Sequence, residues 1–420
     1  MCSLSPDLPL SDTDAACMFR PRLYLLALLL LPAAAVPASA QDAEGKNGKV
    51  GDAISENVST LLKDLASPAF ARRQKAASGI LELQASDVPQ LEAQIEIVTP
   101  AVATQLRVLI PRLRKRLFDD RLERLVDDSV LPAVLIELVS GMPEWKRYSA
   151  VAGTDGDSIA VYRELLLSER ELFAARMFQS PEFSAMLEAR SAALTALFTG
   201  VADDEFPVAS CAALMLLGSD ADVRLRGATS TNISAAFDET RFGHLMENGI
   251  HAETLKAIVG LWIERPNIAV DRPLIFAIQH RLPAGRRVAL KVLAKPVRNQ
   301  QASYALLCLG ALRDPQDLPT VERLMNVHTT VWPPRQQSVR ELLPDREVDS
   351  SFSVQARDVA LAVASYLRGV SPADFGLNVQ TSERHLFTID SMGFSNDEQR
   401  DAAIAKYRMR FPDAAVPKSP

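Results

Sequence analysis

The sequence predicts an all-α protein in which helix pairs stack into an α-solenoid. Hydrophobic residues make up 48% of the chain and aromatic residues only 6%, a balance that suits packed helices better than sheets. Apolar residues recur at helical spacing, with short breaks rich in Asp, Pro and Gly. Pairs of such segments recur about every 35–45 residues, as in solenoids. A chain of 420 residues also needs either several domains or a long repeat array.

The N-terminal region, residues 1–40, has the pattern of a secretory signal peptide. Two arginines precede an apolar run that begins at Leu23, and small residues occupy positions 38–40, which is the order of a signal sequence and its cleavage site. A proline ends the run after nine residues, so the run is too short to span a bilayer, which takes ~20 residues. Met18 is an alternative start, because the residues before it are acidic.

The remainder of the chain divides into a spacer, a solenoid and a tail. Residues 41–53 are polar and contain glycine, so they are expected to form a flexible spacer. Residues 54–412 are predicted to form the solenoid, with Pro68 and Pro100 in the first turns of two of its helices. No segment after the signal peptide is apolar enough to be predicted to span a membrane. Residues 413–420 are predicted to be disordered.

The stretch YALLCLGALRDPQDLPTVERLM, residues 304–325, gives the clearest joint between two helices of a pair. Cys308 lies between leucines and is predicted to fill the core, as free cysteines often do. Gly310 is expected near the end of the first helix, Asp314-Pro315 in the turn, and Asp317 as the N-cap of the next helix. A reactive thiol is disfavoured here, because no histidine lies nearby to act as a base.

Three stretches carry a resemblance to HEAT repeats, an armadillo-like helical family: FARRQKAASGILEL, ASYALLCLGALRDPQDLPTVERLM and VQARDVALAVASYL. Residues 119–200 depart from this pattern. They are similar instead to a part of secreted HEAT-repeat proteins of planctomycete-type bacteria, which carry a comparable Trp-x-Arg-Tyr/Phe…Gly segment. The resemblance implies an α-solenoid of HEAT-like helix pairs in an exported protein, and it brings no active site.

Motifs of catalysis and cofactor binding are absent from the sequence. It contains no His-Glu-x-x-His, Gly-x-Ser-x-Gly, Gly-x-Gly-x-x-Gly or Cys-x-x-Cys, so no catalytic, cofactor or metal site is predicted. His244, Glu247 and His251 would face the same way on one continuous helix, as metal ligands sometimes do. Asn248-Gly249 is expected to break that helix, which favours exposed turn residues.

Three further clusters have structural interpretations. The basic residues at 112–116 could meet an anionic partner, but nearby acids favour a solvated helix face. Asp155 and Asp157 faintly resemble the start of a calcium loop, but the later ligands are missing, so helix capping is favoured. Cys211 and Cys308 are predicted to be two free thiols, because they lie two or three repeats apart and a disulfide needs Cα atoms within ~7 Å.

The leading functional hypothesis is an exported scaffold, periplasmic or extracellular, that binds a protein or peptide without catalysis. A net charge of −6 argues against a nucleic-acid binder. One alternative is an enzyme, for example a lyase-like factor, with a site assembled across repeats. Another alternative is a structural element of the cell envelope.

Candidate binding residues come from two regions. The first region holds Trp145, Arg147 and Tyr148. The second is the long, proline-containing interruption at residues 328–353, which holds Trp332 and Arg335. Trp, Tyr and Arg are enriched at binding hot spots, and long loops are often functional. The alternative for Trp145 and Tyr148 is packing between helices.

The signal-peptide hypothesis predicts cleavage after Ala40, so that the exported chain begins at Gln41. N-terminal sequencing of protein recovered from the exported fraction checks this. A chain that still carries Met1 or Met18 at its N-terminus would contradict it.

Overall fold

The computed structural model describes residues 55–127, 132–198, 206–297, 300–332, 353–382 and 385–414. Within these ranges 71% of residues are helical, in 19 α-helices and several short 3-10 helices, and strands are few and short. The predicted all-α class is therefore confirmed. In the described part of the chain no helix is long and apolar enough to cross a membrane. The predicted signal peptide, the spacer, Arg335 and most of the predicted loop and tail lie outside the described residues.

Among the described residues before 199 there are nine α-helices, namely α1 (Glu56–Leu65), α2 (Phe70–Leu81), α3 (Val88–Gln94), α4 (Pro100–Val126), α5 (Pro132–Ser140), α6 (Trp145–Ala152), α7 (Gly156–Ser168), α8 (Arg170–Met177) and α9 (Phe183–Leu197). Ten more lie in the described ranges after 205, namely α10 (Val208–Gly218), α11 (Thr229–Ser234), α12 (Thr240–Asn248), α13 (Ala252–Ile263), α14 (Asp271–His280), α15 (Pro283–Leu293), α16 (Gln301–Leu312), α17 (Leu318–Arg323), α18 (Ala356–Leu367) and α19 (Asp397–Arg410).

In the described ranges, two short antiparallel ribbons accompany the helices. Strand β1 (Thr330–Trp332) pairs with β2 (Val354–Gln355), and β3 (Thr381–Ser382) pairs with β4 (Leu386–Phe387). The first ribbon brings together the two ends of the interruption predicted at 328–353. Neither ribbon is predictable from the sequence, because strands of two or three residues are too short to show an alternating pattern.

Helix α1 shows how the sequence specifies a helix. Ser55 is its N-cap, and its side chain accepts a hydrogen bond from the backbone N–H of Val58, as favoured cap residues do. The buried residues Val58, Leu62 and Leu65 form one apolar stripe. Pro100 opens α4 as predicted, whereas Pro68 lies two residues before α2 instead of in its first turn.

The joint predicted at residues 304–325 is present between α16 and α17. Cys308 is fully buried in α16, and both Cys211 and Cys308 are free thiols, as predicted. The helix ends where Arg313 adopts the left-handed conformation, with a φ of 55°. Asp314 then accepts a hydrogen bond of 2.9 Å from the backbone N–H of Gln316, which stabilises the turn.

Gly310 lies near the end of α16 and Asp317 occupies the N-cap position of α17, as predicted, but both make contacts that the sequence does not predict. Gly310 lies inside α16, where an added Cβ would come within 2.7 Å of the Leu386 side chain and 3.1 Å of Val363. It therefore permits close packing with β4 and α18. Asp317 occupies the N-cap position of α17 but makes no capping hydrogen bond. Its buried carboxylate instead accepts bonds from Arg286 Nε, at 2.9 Å, and Nη2, at 2.7 Å, and this bidentate pair joins α15 to the joint.

Several central helices are buried around their whole circumference. Every residue of α10 from Ser210 to Gly218 is buried, and so is every residue of α18 from Ala356 to Ser365. Helix α10 packs against α7, α9 and α13, and α16 packs against α14, α15 and α18. No face of these helices meets water, so apart from Arg357 and Asp358 of α18 their buried residues are small or apolar.

Helix α4 spans two apolar clusters. The smaller cluster runs from Val58 to Leu113, and the larger one begins at Phe118. The atypical segment predicted from residue 119 therefore begins where the second cluster does. Lys115 and Arg116 pair with Asp119 and Asp120, each at 2.8 Å and one helical turn away. Arg112 and Lys115 are exposed, but the Arg114 side chain is only 11% exposed and pairs with Glu92. The interpretation as a solvated helix face is therefore confirmed for only part of this basic cluster.

The last helix, α19, is held by ion pairs whose arginine side chains are buried. Arg400 Nε lies 2.5 Å from Asp358 Oδ1, and both side chains are almost fully buried. Arg357, also buried, reaches Asp397 at 2.8 Å and Asp401 at 2.6 Å. Because removing one partner leaves a buried charge uncompensated, these pairs fix the position of α19 on α18.

Asp358→Ala should lower the free energy of unfolding by about 3 kcal/mol, because it leaves the Arg400 guanidinium buried without its main partner. The variant also loses a cap, since Asp358 accepts a 2.9 Å bond from the backbone N–H of Gln355. Urea unfolding followed by circular dichroism measures the change.

Asp374→Ala is the matched control for Asp358→Ala. Asp374 pairs with Arg410 at 2.9 Å, and both side chains are nearly half exposed. An exposed pair contributes less than about 1 kcal/mol. Equal losses in the two variants would contradict the assignment of Asp358 as a buried anchor of α19.

Candidate functional site

A groove of about 980 Å³ lies over α13, between the turn that joins α6 to α7 and the turn that joins α14 to α15. We call it the α13 groove. Helix α13 packs against both α6 and α15, so it forms the floor, and the two turns form the walls. The turn at Gly249–His251 closes one end.

The floor of the α13 groove is made of small side chains. Ala257 and Gly260 of α13 and Ala284 of α15 all line it. A Cβ added to Gly260 would lie 3.4 Å from the Ala284 Cβ. Small residues therefore let α13 and α15 approach closely and leave open space above them.

The first wall, at the α6–α7 turn, is acidic. The Asp155 side chain caps α7 by accepting a 2.8 Å bond from the backbone N–H of Ser158. This hydrogen bond holds the pKa of Asp155 below its ordinary value. Asp157 lies in the first turn of α7 and is exposed. The capping interpretation of this pair is confirmed for Asp155.

The second wall, at the α14–α15 turn, is basic. Arg281 is exposed and has a left-handed backbone, with a φ of 51°. Arg287 forms an ion pair with Glu264 at the end of α13.

His280, in the same wall, is a buried histidine. Its side chain is only 8% exposed, and its ring packs on Phe276 with 4.3 Å between centroids. Nδ1 lies 3.1 Å from Glu247 Oε1, at an angle that does not meet hydrogen-bond geometry. Burial lowers the pKa of His280, and the Glu247 carboxylate opposes that shift only in part. The imidazole is therefore neutral at pH 7.

The histidine and glutamate cluster noted in the sequence is divided by the fold. Helix α12 ends at Asn248 and His251 is the N-cap position of α13, so the predicted helix break is confirmed. The histidine beside Glu247 is His280, which sequence reasoning missed because it lies on another helix. In the part of the chain that the structure describes, no three metal-ligating side chains come together.

Two apolar side chains at the α13 groove are exposed to solvent. Ile250, in the turn before α13, is 77% exposed, and Val151 of α6 is 43% exposed. No sequence pattern marks either side chain, because its exposure depends on how the turns are placed.

Trp145 and Tyr148 are buried instead of displayed. Their rings pack with Tyr162, with centroids 5.0 Å from it in each case. The Tyr148 hydroxyl donates a 2.6 Å bond to the backbone carbonyl of Ser158, and burial raises its pKa. The alternative of packing between helices therefore holds for Trp145 and Tyr148. Both rings support the first wall of the groove from beneath.

Arg147 belongs to a ring of alternating charges. Glu144 contacts Arg147 and Arg176, and Asp220 contacts the same two arginines. Arg147 also donates a 2.8 Å bond to the carbonyl of Leu216. These contacts join α6, α8 and the end of α10, so the Arg147 side chain is committed to internal partners.

Of the other two candidate residues, Trp332 lies within the described ranges. Trp332 is half-buried in β1 and packs against the larger apolar cluster, and Arg335 lies outside the described residues. Burial raises the pKa of the Cys308 thiol to about 12 and also raises that of Cys211, so thiolate formation is disfavoured at both.

No protein-family model, curated protein or solved structure matches the chain. The case for a function therefore rests on the geometry of the α13 groove and its walls.

The burial of His280 predicts a pH-dependent stability. The unfolded chain takes up a proton near the ordinary value of 6.5, whereas the folded chain does so only at lower pH. Stability from this residue is thus complete above about pH 6.5 and falls as the pH drops below it. In His280→Asn this part of the pH dependence should be absent, as urea unfolding at a series of pH values would measure.

His244→Asn is the matched control for His280→Asn. His244 lies on α12 with Glu247, but its side chain is exposed. Its replacement should leave the wild-type pH dependence intact. If His280→Asn also leaves the pH dependence of stability intact, the assignment of His280 as a buried, neutral imidazole is wrong.

Proposed function

We propose that this protein is an exported, non-catalytic scaffold of HEAT-type helix pairs that binds a segment of another protein in the α13 groove. The N-terminal pattern of residues 1–40 favours a periplasmic or extracellular location. The binding would depend on shape, apolar contact and charge.

The order in which the helices pack supports the solenoid part of the proposal. Along the chain α7 packs against α10, α10 against α13, α13 against α15, α15 against α16, and α16 against α18. Each helix of this series therefore contacts the next helix of the series. Repeat arrays have this nearest-neighbour arrangement, and their extended surfaces suit protein or peptide partners.

The exposed apolar pair Ile250 and Val151 carries the binding proposal. Exposed apolar side chains that share one concave site with polar neighbours are typical of interaction surfaces, whereas scattered single ones are not informative. Here both side chains line the same groove, above a floor of alanine and glycine. An apolar side chain of a partner could therefore enter between them and displace water.

The size of the groove favours a short segment over a large flat partner. A cavity of about 980 Å³ lies at the upper end of the ~300–1,000 Å³ range of ligand sites, enough for a few side chains of an extended peptide. Solenoids bind such segments along successive helix pairs, and the walls and floor of the groove come from three such pairs.

Ile250→Glu should abolish capture of the partner, because it places a charge where an apolar contact is needed. The exported fraction is passed over immobilised wild-type and variant protein, and the retained proteins are compared by quantitative mass spectrometry. At least one protein should be retained by the wild type, and the retained amount should be at least about tenfold lower on the variant. A tenfold loss corresponds to about 1.4 kcal/mol of binding free energy.

Ile97→Glu is the matched control, since Ile97 is 72% exposed and lies outside the groove. It should retain the same proteins as the wild type, and both variants should unfold at the wild-type temperature. A partner set that is unchanged in Ile250→Glu would contradict the α13 groove as the binding site.

A further inference from the structure

We infer that the α13 groove recognises a polarised segment, in which an apolar residue lies between a basic residue and an acidic residue. The basic residue would face the α6–α7 wall and the acidic residue the α14–α15 wall. This inference rests on the proposed function and adds the charge pattern of the partner.

The charges of the α13 helix itself do not select a partner, because they are paired internally. Lys256 Nζ lies 2.6 Å from Glu253 Oε1, and Glu264 pairs with Arg287 of α15. Paired charges present little net field to a ligand.

The walls, by contrast, present charges of opposite sign that are not paired with each other or with α13. Asp157 on the α6–α7 wall and Arg281 on the α14–α15 wall are both exposed. Among the described residues neither is paired with an opposite charge. Asp155 adds a second carboxylate to the first wall, and its lowered pKa keeps it ionised. The groove is therefore acidic at one wall and basic at the other.

A purely anionic ligand fits this groove less well. The helices α7, α13 and α15 all begin at the groove, and helix N-termini attract anions. Asp157 and Glu253 already occupy the first turns of α7 and α13, where they satisfy that field. An anion would also meet Asp155, so a segment with both signs of charge is favoured.

The apolar and charged contacts would have different roles. Ile250 and Val151 supply the apolar contact, which contributes most of the affinity. Exposed charges such as Asp157 and Arg281 contribute roughly 0.2–1 kcal/mol each, and they set orientation and specificity. Loss of one charge should therefore weaken binding only about two- to fivefold, whereas loss of the apolar contact should abolish it.

A random peptide display library tests the inference directly. Peptides are selected on the full wild-type chain and counter-selected on Ile250→Glu, so that the retained pool depends on the groove. The pool should be enriched in sequences with a Lys or Arg on one side of an apolar residue and an Asp or Glu on the other.

Single peptides from the pool are then measured by fluorescence anisotropy. Asp157→Asn and Arg281→Gln should each weaken binding about two- to fivefold. Asp157→Arg should weaken it further, and replacing the basic residue of the peptide with Glu should restore part of the affinity. Ile97→Glu should bind like the wild type.

The outcomes separate this inference from the proposed function. If no pool distinguishes the wild type from Ile250→Glu, the peptide-binding groove is wrong, and the inference falls with it. If a groove-dependent pool has no charge pattern and binds Asp157→Asn and Arg281→Gln as tightly as the wild type, only the polarity is wrong. A groove-dependent pool with acidic residues alone would likewise overturn the polarity in favour of an anion site.

Discussion

The constraint on which the structure depends is the burial of central helices that have no polar face. Helices α10, α16 and α18 are apolar around most or all of their circumference, so each must be covered on every side by other helices. The hydrophobic effect drives this covering and is not directional. The hydrophobic effect therefore does not decide which helix packs beside which. Close packing at small residues and polar contacts at the helix ends decide it.

Arginine side chains make many of those end contacts. The last carbonyls of a helix have no partner within the helix, and a cation there also suits the helix dipole. At the end of α10, Arg147 donates to Leu216 O at 2.8 Å, and Arg265 donates to Gly218 O at 2.7 Å. Arg163 does the same for Val126 O of α4 at 2.6 Å. Arg147 lies on α6, Arg163 on α7 and Arg265 just after α13, so satisfying a carbonyl also fixes which element lies beside it.

The sequence predicts features whose cause is local and misses those whose cause is distant. The all-α class, the joint at 304–325, the burial of Cys308 and the break after Asn248 follow from periodicity and turn chemistry, which lie within a few neighbouring residues. The pairing of Asp317 with Arg286 and the approach of His280 to Glu247 join different helices. No pattern in a single sequence records such a pair.

The same distinction explains why Trp145 and Tyr148 stood out in the sequence. Large aromatic residues mark binding hot spots and packed cores equally well, because both sites bury apolar area. Only the tertiary fold decides which applies, and here it buries both rings beneath α7.

Burial does not remove these residues from the function that we propose. The Tyr148 hydroxyl holds Ser158 O, and Ser158 forms the cap that positions Asp155 on the groove wall. The aromatic residues would thus act on a partner through the shape of the wall. The side chains that meet the partner would be the small, apolar and charged residues of the turns, which by composition alone resemble any other turn.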